Sequence, residues 1–149
     1  MRLRQRVWAQ RKQRSSRQGA AVIELAFVLP LLAVLLVGIF EIGQALRITS
    51  ILSEASRNAC SSGSRPGCAN ADVTMDAQSA LTNAGISAGS ATITILVNGV
   101  AGNVAAAKGN DEITVVVSLP WSSVSLIRTN TFLSSGTVLS ETTSMLKQG

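Results

Sequence analysis

Hydrophobic and polar positions divide this chain into blocks before they alternate within any of them. Residues 1–18 are polar and basic. Residues 20–40, AAVIELAFVLPLLAVLLVGIF, are apolar throughout except for one acid, Glu24. At ~1.5 Å per residue this run makes a helix of ~31 Å, which matches a hydrocarbon core of ~30 Å. A chain of 149 residues cannot build a core large enough to bury such a helix on all sides. The pattern therefore predicts a transmembrane helix over 20–40. Beyond it, Leu46, Ile48, Ile51, Leu52, Ala55 and Ala59 recur at near-helical spacing, with Arg47, Ser50, Ser53, Glu54 and Arg57 between them. The helix is expected to continue over 41–59 as an amphipathic extension.

The remainder, 60–149, reads as a small α+β domain. Cys60 and Cys68 bracket a Gly- and Pro-containing loop. Residues 72–84 predict a short helix with Val73, Ala77, Ala80 and Leu81 on one face, ended by Gly85. The β-branched alternation of 91–97 predicts a strand, followed by an Asn98-Gly99 turn and a Gly/Ala-rich loop to Asn110. Residues 112–118 predict a second strand, closed by Leu119-Pro120-Trp121, and 137–146 a third. The expected architecture is a long helix packed on an antiparallel three-stranded sheet.

Charge changes the picture by its distribution. The formal net charge is +5, yet residues 1–18 hold seven cations and no acid, while residues 19–149 hold six cations and eight acids. A basic flank beside an apolar span orients it: the N-terminus stays in the cytoplasm and the C-terminal domain is translocated. Position beside the span makes membrane topology, with contact to anionic membrane lipids, a better account of the cations than nucleic acid. Five aromatics make a poor base-stacking platform. Histidine is absent, which excludes Ser-His-Asp and Cys-His catalysis and histidine metal motifs. Two cysteines without histidine do not close a zinc site. There is no phosphate-cradling glycine motif. The sequence thus predicts no enzyme, no metal, no cofactor and no small-molecule substrate.

Three kinds of N-terminal segment compete for the span. A secretory signal peptide has a shorter apolar region ending at a small-residue cleavage site, and Glu41-Ile42-Gly43-Gln44 supplies none. An uncleaved signal anchor carrying a binding domain fits the length. A short basic leader ending at Gly19 explains more residues, because it also accounts for Glu24. A lone carboxylate in a span costs a few kcal/mol and is either drawn to the interface or paired in an oligomer.

A cut between Gly19 and Ala20 makes Glu24 the fifth residue, an arrangement that resembles type IV prepilins. The block Arg17-Gln18-Gly19-Ala20-Ala21-Val22-Ile23-Glu24-Leu25-Ala26-Phe27-Val28-Leu29-Pro30-Leu31-Leu32 is similar to the TadE-like family of tight-adherence (Flp) pilus systems. So is Gly38-Ile39-Phe40-Glu41-Ile42-Gly43-Gln44-Ala45-Leu46. The resemblance spans roughly 17–60. It implies a non-enzymatic pseudopilin or minor pilin of the cytoplasmic membrane, with a leader over 1–19 cut at Gly19-Ala20 by a prepilin peptidase. It further implies subunit registration through Glu24, and partners among other pilin-like subunits and the pilus assembly machinery. Ala20 in place of a bulky first residue, and Glu24-Leu25 in place of Glu-Tyr, favour an accessory over the main fibre subunit. A pseudopilin of another type IV-related secretion system is the nearest alternative.

Two features outside that block also carry chemistry. Cys60 and Cys68 lie on the translocated, oxidising side, so a disulfide is expected, worth ~2.5 kcal/mol for so short a ring. Ser144-Met145-Leu146-Lys147 satisfies the S-x-x-K pattern of acylating enzymes, but the companion motifs are missing and it falls in a strand.

Overall fold

A computed structural model describes residues 2–125, 133–134 and 136–149, with side chains from Gly19 onward. The chain divides into two compact units, Met1–Phe40 and Glu41–Gly149, and the division falls inside the first helix. That helix, α1, runs Arg2–Gly63 and contains Pro30. A proline inside a helix removes one backbone hydrogen bond, and the helical assignment is continuous through it. In the first unit every residue from Gly19 to Leu36 is exposed. An all-round apolar surface of this length is what a membrane span presents, and the helix is long and apolar enough to cross one.

In the second unit α1 places Ile48, Leu52, Ala55 and Ala59 in the core. Their spacing keeps them on one stripe. Leu46, expected on that stripe, is instead 64% exposed: two residues before Ile48, it falls on the opposite side of the helix. Helix α2, Asn70–Asn83, buries Val73, Ala77 and Leu81. The Asp72 carboxylate accepts from the Ala69 N–H at 2.9 Å, so an acid satisfies the dipole at its start. The helix ends in paired bonds from Gly85 N to Thr82 O and Ile86 N to Leu81 O. Gly85 takes φ +82, the left-handed conformation this ending requires.

The sheet has four antiparallel strands, not the three expected. They are β1 (Thr92–Val97), β2 (Val100–Ala101), β3 (Glu112–Pro120) and β4 (Val138–Leu146), in the order β2-β1-β3-β4. The additional strand follows from Asn98-Gly99. Both residues hold positive φ, as a two-residue hairpin turn demands, so the chain folds back to pair Val97 with Val100. It stops after two residues. Gly102 already lies so close to Val97 that a Cβ there would stand 3.1 Å from it.

Ile113, Val115, Val117 and Leu119 of β3 share a buried core with Val104 and the helix residues, and Trp121 is buried as well. The other face of the sheet carries hydroxyls: Thr92, Thr94, Ser118, Ser140, Thr142 and Ser144. Alternation of this kind is the signature of a sheet covered on one side only.

Candidate functional site

The apolar stretch of α1 holds the residues that the sequence singles out. Ala20 and Glu24 are four apart on a continuous helix, hence on one face, and helical side chains lean toward the N-terminus. The Glu24 side chain is therefore directed over the turn that contains Ala20 and Ala21. It is exposed, as are Val22, Ile23, Leu25 and Phe27 around it. Gly19 and Ala20 are also exposed, and a Cβ at Gly19 would meet nothing within 4 Å. The Gly19–Ala20 bond lies within the helix. Glycine contributes least to a helix after proline, by about 1 kcal/mol relative to alanine, so the helix is locally weakened at Gly19.

The cysteines do not form the expected disulfide; both are free and buried. The physical reason is the extension of α1 to Gly63, which takes Cys60 into its last turns rather than into a loop. Cys60 Sγ points at β3 and donates to Ile113 O at 3.2 Å. Cys68 Sγ lies beside Ser62 Oγ at 3.7 Å and Ala69 O at 3.5 Å. Each sulfur has its own partner, and neither is aimed at the other. Burial pushes the Cys60 thiol above its ordinary value, against the opposing pull of backbone hydrogen bonds at Met145 and Val115. It is a structural thiol rather than a reactive one.

Ser144 and Lys147 are not brought together. Ser144 Oγ lies 2.7 Å from Thr114 Oγ1 on the open face of the sheet. Lys147 is buried and turned the other way. Its ammonium donates to Gly63 O at 3.1 Å and Arg65 O at 2.7 Å. A cation on the last carbonyls of a helix satisfies acceptors that have no intrahelical donor. Gln148 N donates to Ser64 O at 2.8 Å and completes the clasp. In sequence the only trace of this role was a lysine one residue past a strand.

Glu41 was likewise missed. It is 1% exposed although it follows directly on the apolar run, and it has a polar partner. Nearby on the same helix, Gln44 Nε2 donates to Val124 O at 2.7 Å.

A polar groove of about 500 Å³ runs between α1 and α2, lined by Glu54, Asn58, Arg65, Asp76 and Asn83 among others. Its two acids, one cation and amides do not converge on a point. Among the described residues no three metal-ligating side chains gather. Among the described residues this groove offers hydrogen-bonding surface.

Compared with known proteins, residues 19–60 match the family model described as TadE-like protein. No curated protein and no solved structure matches the chain. The matched segment begins at Gly19, includes Glu24 and the apolar run, and ends at Cys60.

Proposed function

Starting from this TadE-like segment, we propose that the chain is a non-enzymatic, minor pilin-like protein that supports assembly of Flp-type pili. The observation that carries the reading is that the family match begins at Gly19 and takes in the one acid of the apolar run, Glu24. Residues 1–19 are a basic leader held in the cytoplasm, 20–40 cross the cytoplasmic membrane, 41–59 continue the helix, and 60–149 fold outside. A prepilin peptidase cuts between Gly19 and Ala20 after local unwinding of the helix there.

The cut frees the Ala20 α-amine, whose ordinary pKa is about 8. In the low dielectric of the span an unpaired charge is costly. The new cation of one subunit and Glu24 of its neighbour are then mutually required. Such a pair sets the register between adjacent helices more than it adds net stability. The partners are other pilin-like subunits and the assembly machinery.

Glu24→Gln and Glu24→Val test the role of the carboxylate. Both variants should resist extraction from the membrane as the wild type does, yet fail to restore surface pili to a strain lacking the gene. Normal piliation by either variant refutes registration through Glu24. Normal piliation of the deletion strain itself refutes the role in assembly.

A further inference from the structure

From the outer edge of the sheet, we infer that β4 is a strand-docking site: it receives an extended segment of a different pilus subunit, one that turns basic and hydroxyl-bearing side chains toward α1. The inference rests on the pilus-assembly reading, which supplies partners of that kind.

The strand order places β4 at one edge of the sheet. Lys147 N donates to Asp111 O and Trp121 N to Thr137 O, so the odd-numbered residues of this strand turn their backbone groups toward β3. By antiparallel alternation Val138, Ser140, Thr142, Ser144 and Leu146 turn theirs outward. All five are exposed, and no hydrogen bond to their outward N–H and C=O groups is found among the described residues. Pairing with β3 runs through nine consecutive residue pairs without a bulge, which leaves an unbroken edge of ~30 Å. Its sequence, VLSETTSML, has no proline or lysine and a single charge, so it lacks the devices that keep exposed edges apart. The strand at the opposite edge, β2, is only two residues long. Just beyond it the Asn70 side chain occupies the backbone, donating to Gly102 O at 3.0 Å and accepting from Val104 N at 2.8 Å.

The groove beneath this edge states the chemistry of the occupant. Ser56 Oγ stands 2.7 Å from Thr143 Oγ1, which seats α1 over the core side of β4. Between the two elements runs a groove of about 480 Å³, lined by Thr49, Ser53, Glu54, Arg57 and Glu141 among others. A strand added ~4.8 Å from β4 sends alternate side chains to this side. The groove offers them hydroxyls and two acids against one cation, which suits hydroxyl and basic side chains and disfavours acidic or large apolar ones. On the other side the row Ser140, Thr142 and Ser144 is uncharged and matches small polar neighbours. A second copy of this chain does not supply such a segment. Its four described strands, TITILV, VA, EITVVVSLP and VLSETTSML, hold no lysine or arginine. The occupant is therefore a different polypeptide.

The test uses the full chain in a piliated strain. The photoreactive amino acid p-benzoylphenylalanine replaces Ser140 or Ser144 on the β4 edge, or Val100 at the opposite edge, and cross-linked peptides are identified by mass spectrometry. Positions 140 and 144, but not 100, should join one segment of another pilus subunit, and that segment should carry a basic residue. Thr142→Pro removes one outward N–H at a place where an edge strand accepts proline. It should lower this cross-linking about tenfold, whereas Thr142→Ala, which keeps the N–H, should leave it unchanged. Glu141→Lys should lower it as well, and Glu141→Asp should not. That second pair decides the matter if Trp121 fluorescence on heating shows that the proline variant does not fold. Undiminished cross-linking in a folded Thr142→Pro or in Glu141→Lys overturns the inference, as does an absence of products from 140 and 144. A product joining two copies of this chain also overturns it and assigns the edge to self-association. Piliation separates the two readings. Pili in the deletion strain remove the assembly role; pili lost on deletion and fully restored by Thr142→Pro remove only the strand docking.

Discussion

Replacing Lys147 by Met tests whether the clasp between the last strand and the end of α1 holds the Glu41–Gly149 unit together. Methionine keeps most of the buried stem and removes the ammonium, so lost packing is minimised. The ammonium makes two bonds, to Gly63 O and Arg65 O. Charge-assisted hydrogen bonds contribute about 1.5–3 kcal/mol each, and the carbonyls left behind remain shielded from water. Desolvation of the native ammonium offsets part of this, and two bonds to one group do not add fully. A net loss of about 2–3 kcal/mol is expected. For the unit formed by Glu41–Gly149, each kcal/mol shifts Tm by roughly 4 °C, so Tm should fall by about 10 °C. Trp121, 1% exposed, reports the transition by its fluorescence as the detergent-solubilised chain is heated. Lys147→Arg, which retains the cation, should recover part of the loss. A Lys147→Met variant that melts within about 2 °C of the wild type would refute the clasp as a stabilising element.

Three further outcomes follow from local geometry. Cys60 and Cys68 should resist alkylation by maleimide in the native protein and react after denaturation; an intramolecular disulfide in protein taken from membranes would contradict the separate environments of the two sulfurs. Gly99→Ala should lower stability by about 1–2 kcal/mol, read as a shift of the denaturant midpoint, because position 99 holds φ +80. The Asp111 carboxyl is held below its ordinary value, first by the Asn98 side-chain amide and then by the Lys108 N–H. Its contribution to stability is therefore present at neutral pH and lost as pH falls through its lowered folded pKa. Asn98→Ala should flatten that acid limb of the stability profile, and an unchanged limb would show that Asp111 does not depend on Asn98.

The elements were legible wherever a period ran long enough to identify a face. The apolar run of 20–40, the stripe Ile48-Leu52-Ala55-Ala59 and the alternation of 112–118 each announced their partner surface. Leu46 was misread although the period itself excludes it: two residues before Ile48, it lies across the helix from Ile48, Leu52, Ala55 and Ala59. The strand β2 was missed because two residues carry no period; only the demand of Asn98-Gly99 for a hairpin encodes it. The cysteines misled because spacing and compartment determine whether a disulfide is permitted, whereas side-chain direction determines whether it forms. Cys60 faces the Ile113 carbonyl, and no sequence pattern records that direction. Lys147 and Glu41 were opaque for a related reason: a buried charge is recognised by its partner, and those partners come from tertiary folding. Glu24 was the opposite case. It stood out because nothing around it in sequence is polar, and the match to a TadE-like protein over 19–60 falls on that block.

The central claim is that the working protein is a processed pilin-like subunit with Glu24 as its fifth residue. N-terminal sequencing of the protein isolated from membranes of a piliated strain tests this most directly. An N-terminus reading Ala20-Ala21-Val22-Ile23-Glu24 is expected. A membrane-embedded chain that still begins at Met1 would contradict it and leave a simple anchor in its place.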